Sequence, residues 1–109
     1  MDGLDGDSAA EVAIATSADP GGVPVISLSG ELDSSNVDEL QRGIADTVGR
    51  VPERLVFDLS DLRFMDSAAI AILVGVAAKV ETVQLRNPSP IVRRIVEVTG
   101  LSDVLRIEP

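Results

Sequence analysis

The chain lacks the residues on which several common kinds of chemistry depend. Its 109 residues include no cysteine and no histidine. Without cysteine there is neither a disulfide framework nor a thiolate nucleophile, and without histidine the commonest general base and the commonest zinc ligand are missing. Hydrolases of the Ser–His type are therefore excluded. Any metal site would depend on carboxylates alone, and no run of them has calcium-loop spacing.

Aromatic residues and long apolar runs are also scarce. Phe57 and Phe64 are the only aromatic residues, so the core must be aliphatic. The longest apolar run without a charge covers residues 68–78, which is too short to cross a bilayer. The first residues are acidic and do not form the basic-then-apolar pattern of a signal peptide. We therefore expect a soluble, cytoplasmic protein without direct membrane insertion.

The charge is strongly acidic. Eighteen acidic residues outnumber nine basic ones, which leaves a formal net charge of −9. This balance argues against nucleic acid and anionic membranes as partners. The chain contains neither the phosphate-binding loop GxxxxGK[ST] nor the dinucleotide motif GxGxxG. We therefore expect no nucleotide and no other cofactor.

The length fits one domain, and the pattern of apolar residues alternates strands with helices. In chain order we predict a loose tail (1–10), a strand (11–18), a hairpin turn and strand (23–32), a helix (37 to about 49), a strand (54–59), a helix (68–80), a strand (82–85), a helix (90–100) and a strand (104–107). The order β-β-α-β-α-β-α-β predicts a single α/β domain. It has a mixed, mostly parallel sheet of about five strands packed with three or more helices.

Three local features refine this prediction. Pro24 restricts the second strand to an edge or a strand start at that point. In the last helix, Ser89 is a natural N-cap and Pro90 suits the first helical position. Ile91, Ile95 and Val98 are its predicted inner stripe. In the helix before it, the lone Gly75 is most simply explained by close helix packing.

The junction of Asp66 and Ser67 stands where a strand is followed by an apolar helix. A hydroxyl at a helix N-terminus lies beside backbone N–H groups that favour negative charge, so a phosphate added there would be stabilised. The plain alternative is that one of these two residues is only an N-cap. From position alone both interpretations stay open.

A further alternative is catalysis by paired carboxylates. The candidates are Asp33, Asp58, Asp61 and Asp66, three of which lie at or just beyond the carboxyl ends of predicted strands, where α/β sheets place their sites. The chain is too small to frame a sugar cleft and has almost no aromatic platform. We therefore predict that the protein is not an enzyme, and turnover by the isolated domain would revive this alternative.

Several segments together resemble a known family. They cover residues 30–33 (GELD), 58–62 (DLSDL), 64–67 (FMDS), 87–94 (NPSPIVRR) and 99–101 (TGL). In this order they are similar to the STAS family and, more narrowly, to bacterial anti-anti-sigma factors, also called anti-sigma factor antagonists. The resemblance spans residues 12–107 and places a STAS domain at 11–109.

The resemblance implies a regulatory binding module. In that family the serine after the aspartate of the F-[MI]-D-S segment is phosphorylated by a partner, an ATP-binding anti-sigma factor that is also a serine kinase. By this match Ser67 is the phosphoacceptor, and a serine phosphatase is a further candidate partner. Asp66 adjoins the acceptor, and Asp33 matches the family's other acidic position. The remaining partner-binding candidates are Asp61, Ala68, Ala69 and Ile70.

The sequence departs from the family pattern directly after Ser67. The family often has a second hydroxyl residue and then a glycine, where this chain has Ala68 and Ala69. Alanine favours a helix by about 1 kcal/mol over glycine, so the helix start should be stiffer. We also expect the Ala69 methyl to narrow the approach of a kinase active site. Constitutive antagonism without phosphorylation therefore stays open.

Two functions fit the resemblance. The first is an anti-sigma factor antagonist that releases a sigma factor and is switched off by phosphorylation of Ser67. The second is a STAS subunit of a lipid-import transporter, which would bind its ATPase permanently and need no phosphorylation. Co-purification with a sigma-regulatory kinase or with an ATPase and permease would distinguish them.

Overall fold

The structure is a computed structural model that describes residues 11–47 and 53–108. The described elements are β1 (Val12–Ala18), β2 (Pro24–Leu32), α1 (Val37–Thr47), β3 (Arg54–Met65), α2 (Ser67–Ala77), β4 (Thr82–Arg86), α3 (Pro90–Val98) and β5 (Leu105–Glu108). The predicted order of strands and helices is confirmed. The predicted tail and the predicted helix end near Gly49 lie outside the described residues.

The sheet follows the chain order, β1-β2-β3-β4-β5. β1 is antiparallel to β2, and the other neighbours are parallel, as predicted. From β2 to β5, each strand lies next to the one before it, always on the same side. Because crossovers between parallel strands are right-handed, the three connecting helices all lie on one face of the sheet. One core cluster accordingly contains residues of α1, α2 and α3 together with alternate residues of the strands. None of the described helices is long and apolar enough to cross a membrane.

The β1–β2 hairpin depends on Gly30. Its φ of +94° lies in the left-handed region, and a Cβ there would come within 2.2 Å of the Glu11 carbonyl oxygen. Only glycine allows this close approach. Pro24 is the first residue of β2, as predicted, where its missing N–H costs no central hydrogen bond. The hairpin therefore has one register, and β2 ends at a fixed place on the sheet.

β3 is twice as long as predicted and ends at Met65 instead of Leu59. Its register against β2 shifts twice, from Ser27↔Asp58 to Ser29↔Asp61 and from Gly30↔Leu62 to Glu31↔Phe64. Each shift is a bulge that adds one residue to β3. The core-facing residues Leu59, Leu62 and Met65 are consequently three apart instead of two. The alternation that indicates a strand is thus lost in the sequence although the strand continues.

The predicted inner stripe of α3 is wrong. Val92 and Val96 are fully buried, whereas Ile91 and Val98 are 58% and 69% exposed and Ile95 is half-buried. Ile91 and Ile95 form one i, i+4 row, and Val92 and Val96 form the adjacent row. Both rows are apolar, so helical spacing does not distinguish them. The way the helix lies on the sheet decides which row is buried.

α2 begins at Ser67 and ends at Ala77, so the predicted helix 68–80 is shifted and shortened, with Val80 buried beyond its end. The explanation of Gly75 by close packing is wrong. A Cβ added there would meet no atom of residues 11–47 or 53–108 within 4 Å. Gly75 instead lines an open groove of about 700 Å³ between α1 and α2.

Candidate functional site

Asp66 connects the ends of two neighbouring strands to the start of α2. Its backbone N–H donates to the Leu32 carbonyl at 3.1 Å, which continues the pairing of β2 with β3. One carboxylate oxygen, Oδ1, accepts from the N–H groups of Ala68 and Ala69 at 3.0 and 3.2 Å. The other, Oδ2, accepts from the Ser34 N–H at 3.1 Å. We call this arrangement of Asp66, Ser34, Ala68 and Ala69 the Asp66 clamp.

The loop after β2 is held by local hydrogen bonds. The Asp33 carboxylate accepts from the Ser35 hydroxyl at 2.5 Å and from the Ser35 N–H at 2.8 Å. These bonds, the hydroxyl first, hold the pKa of Asp33 below its ordinary value of 3.8. Asn36 braces the same loop, accepting from the Asp33 N–H and donating to the Glu31 carbonyl. Asp33 therefore carries a negative charge at neutral pH beside the Asp66 clamp.

Ser67 is the first residue of α2, directly after the capping Asp66. Its side chain is exposed, and within the described residues its hydroxyl makes no hydrogen bond. The Asp66 carboxylate already accepts from two N–H groups of the first turn. A phosphate on Ser67 would therefore meet fewer free donors than the sequence suggests, and it would have carboxylates as neighbours. The cap at this junction is therefore Asp66, and the Ser67 hydroxyl is exposed to solvent.

The predicted partner-binding residues after Ser67 differ in exposure. Ala68 is half-buried, while Ala69 is fully buried and Ile70 is 7% exposed. Ala69 and Ile70 belong to the core, so they position the helix and offer little surface. The expected obstruction by the Ala69 methyl is wrong, because that methyl points into the core. Of residues 67–70, only Ser67 and Ala68 are accessible to solvent to more than a small extent.

The four acidic residues considered for catalysis form two separate groups. Asp33 and Asp66 lie at the carboxyl ends of β2 and β3, where Asp66 accepts from the Ser34 N–H and Asp33 accepts from the Ser35 N–H. Asp58 and Asp61 lie earlier along β3, and Asp58 accepts from the Ser60 N–H and hydroxyl. Asp61 is exposed and pairs with Ser29, outside the Asp66 clamp. Among residues 11–47 and 53–108, no three acidic side chains form a set that could hold a metal ion.

Sequence reasoning missed two features of this site. The first is the role of Ser34 and Ser35 as hydrogen-bond donors to Asp66 and Asp33. The role of Ser35 could have been predicted, because Asp-x-Ser is a turn pattern in which the carboxylate accepts from the backbone N–H two residues later. The role of Ser34 could not. The second is Phe64, which is 42% exposed although it lies in the strand that passes through the centre of the sheet. No periodic signal indicates this exposure, because it results from the second bulge of β3.

The fold and this strand-to-helix site define a small regulatory domain of known type. Residues 15–109 match the STAS domain family, and the chain belongs to it. Among curated proteins it is similar to the anti-sigma-F factor antagonist RsfB of Mycobacterium tuberculosis, with 31% identity over 92% of this chain and 84% of that one. It is also similar to the anti-sigma F factor antagonist of Lysinibacillus sphaericus, with 34% identity over 71% of this chain and 70% of that one.

Solved structures agree with this assignment. An anti-sigma factor antagonist from Mycobacterium paratuberculosis superposes with a TM-score of 0.82 at 28% identity, covering 91% of this chain and 86% of that one. The Bacillus cell fate determinant SpoIIAA in its phosphorylated form superposes with a TM-score of 0.65 at 26% identity, covering 89% and 92%. These relatives are regulatory binding proteins and not enzymes, which confirms the prediction of a non-enzymatic module.

Proposed function

We propose that this protein is a cytoplasmic anti-sigma factor antagonist whose binding surface is centred on Ser67. It binds an ATP-binding anti-sigma factor with serine kinase activity and thereby frees a sigma factor. The observation that carries the proposal is the exposed, unbonded Ser67 hydroxyl beside the Asp66 clamp. The names of the relatives supply the kind of partner.

The unmodified surface is suited to docking. The backbone at the start of α2 is held by Asp66, so little conformational entropy is lost when a partner packs against it. Ala68 presents only a small side chain, and the core behind it is closed by Ala69 and Ile70. A partner can therefore approach the backbone of the first turn closely around Ser67.

Phosphorylation of Ser67 would act as the off state of this surface. A phosphoserine carries about −1.5 to −2 charges at pH 7. It would stand next to Asp66 and close to Asp33, whose pKa is held below its ordinary value. In the complex the phosphate would lose its hydration and would lie next to like charges. Both effects disfavour docking. The domain itself need not refold. The phosphorylated structure of SpoIIAA supports such modification within this fold.

The proposal is tested by measuring binding of the purified protein to each kinase-type anti-sigma factor of the source organism. We expect the wild type and Ser67→Ala to bind one of them similarly and Ser67→Glu to bind it at least about tenfold more weakly. Incubation with that partner and ATP should add one phosphate to the wild type and none to Ser67→Ala. Equal binding by all three proteins would remove the phosphorylation switch.

Absence of binding to every such anti-sigma factor would remove the antagonist function itself. Recovery of a transporter ATPase with the tagged protein would then favour the transporter subunit instead. Ser35→Ala is a useful control for the kinase assay. Its hydroxyl is exposed near Ser67 but is already bonded to Asp33, so its removal should leave the phosphorylated site unchanged.

A further inference from the structure

Phe64 is an aromatic side chain that the fold leaves in solvent. Of the two phenylalanines, Phe57 is fully buried and Phe64 is 42% exposed. The second bulge of β3 accounts for this difference, because the extra residue turns both Arg63 and Phe64 outward between the buried Leu62 and Met65. Bulges often re-aim a side chain next to a functional site. The exposure of the ring thus results from the backbone geometry of the bulge and not from a gap in the packing of the core.

The ring lies close to the proposed binding surface. Phe64 pairs with Glu31, the next pair is Leu32 with Met65, and the Asp66 clamp follows immediately. Phe64 lies three positions before Ser67, which is at most about 11 Å along an extended chain. A typical protein interface takes about 800 Å² from each partner and is wide enough to include both residues.

We propose that Phe64 is an anchor of the surface that binds the anti-sigma factor, with its ring inserted into an apolar pocket of that partner. This inference rests on the proposed function. Buried aromatic side chains near the centre of an interface carry much of its binding energy. Arg63 flanks the ring and is held at 3.6 Å from Glu31, with both side chains exposed, so the apolar anchor has a polar rim.

A second copy of this chain is a poor occupant for the same surface. The strand ends next to Phe64 carry three carboxylates and one guanidinium: Glu31, Asp33 and Asp66 against Arg63. Two copies placed face to face here would bring like charges together, which costs affinity. The overall charge of −9 adds to that repulsion. The surface therefore fits a different protein, and its continuity with Ser67 identifies that protein as the anti-sigma factor.

The test compares Phe64→Ala with Val98→Ala. Val98 is 69% exposed, and it lies at the end of α3, on the opposite edge of the sheet from the start of α2. Binding to the anti-sigma factor that the wild type recognises is measured by titration calorimetry, and thermal unfolding is followed in parallel. We expect Phe64→Ala to lose at least about tenfold in affinity, Phe64→Leu to lose less, and Val98→Ala to stay within about twofold.

The outcomes separate this inference from the proposed function. If the wild type binds and Phe64→Ala binds equally well, the anchor is overturned while the antagonist function stands. An equal loss in Phe64→Ala and Val98→Ala would also overturn it, because the effect would not be local. If the wild type binds none of the anti-sigma factors, both proposals fall together. A dimer of the wild type that Phe64→Ala dissolves would assign the ring to self-association and overturn the anchor.

Discussion

Two serines begin helices at the same edge of the sheet, and the fold uses them differently. Ser89 is the N-cap of α3, and its hydroxyl accepts from the Val92 N–H at 3.2 Å. Ser67 stands one place later, at the first helical position of α2, because the capping role there belongs to Asp66. The Ser89 hydroxyl therefore stabilises its helix, whereas the Ser67 hydroxyl makes no hydrogen bond in the part of the chain that the structure describes. A shift of one position thus separates a serine that caps its helix from one whose exposed hydroxyl has no capping role.

The two caps also differ in the number of segments that they hydrogen-bond. Ser89 satisfies one N–H group of its own helix. Asp66 satisfies two N–H groups of its own helix and one of the loop after β2. The Asp66 clamp thus joins elements that are distant in sequence, whereas the Ser89 cap is local. The following substitutions test this difference, from the largest expected effect on stability to the smallest.

Asp66→Ala should cause the largest loss. It removes the acceptor of three hydrogen bonds, and we expect the free energy of unfolding to fall by about 2 to 3 kcal/mol. Urea unfolding measures this change. Asp66→Asn is the matched control, since it keeps the side-chain oxygen that caps the helix, and it should lose clearly less. If both variants lost the same free energy of unfolding, the negative charge of Asp66, and not its hydrogen bonds, would be what stabilises the Asp66 clamp.

Ser89→Ala should cost about 1 kcal/mol, the usual value of a single N-cap. The same urea experiment measures it, and Ser89→Asp, which restores an acceptor at this position, should recover most of the loss. Binding to the anti-sigma factor should not change. If Ser89→Ala lost as much free energy of unfolding as Asp66→Ala, the Ser89 cap and the Asp66 clamp would contribute equally to stability.

Ser67→Ala should change the free energy of unfolding by less than about 0.5 kcal/mol, because the exposed hydroxyl makes no hydrogen bond within the described residues. Its effect should instead be on phosphorylation, which mass spectrometry detects. Ser89→Ala should retain the phosphate. Phosphate on Ser89 in the wild type would contradict the division of roles between the two serines.

Ser35→Ala should give the smallest effect, visible only in acid. It removes the hydroxyl that most lowers the pKa of Asp33, so that pKa should rise toward 3.8. Because the folded-state pKa is depressed, ionised Asp33 favours folding above its unfolded pKa, and this contribution is lost as the pH falls through the folded value. Carboxyl-carbon NMR titration measures the pKa. An unchanged pKa would show that the Ser35 N–H alone is responsible.

Most of the fold could be predicted from local signals. Turn residues, caps and the alternation of apolar residues placed every described element in the correct order. The errors occurred where two local patterns were equally good or where the register changed. In α3, Ile91 and Val92 begin adjacent apolar rows, and only packing on the sheet selected the second. In β3, two bulges removed the alternation beyond Leu59.

The chemistry of the site could be predicted only in part. The predictions for Ser67, Asp66 and Asp33 came from their residue types and from the family resemblance. An N-cap at Asp66 or Ser67 was one of the two predictions for this junction. The bond between Asp66 and the Ser34 N–H was not predicted, because a backbone N–H is present at almost every residue and the sequence does not distinguish this one. Burial of Ala69 was missed for a similar reason. A helix that is apolar on every side does not indicate which side faces the core.

The sequence by itself determined the order of the strands and helices, the first residues of α1 and α3, and that the chain has neither thiol nor imidazole chemistry. These properties depend on residues within a few positions of one another. Only the tertiary structure decided that Asp66 accepts hydrogen bonds both from α2 and from the loop after β2. It also decided that the Ser67 hydroxyl makes no hydrogen bond within the described residues and that Phe64 faces solvent. Each of these depends on how β2 and β3 align across their bulges, and that alignment is set by backbone pairing between segments about thirty residues apart.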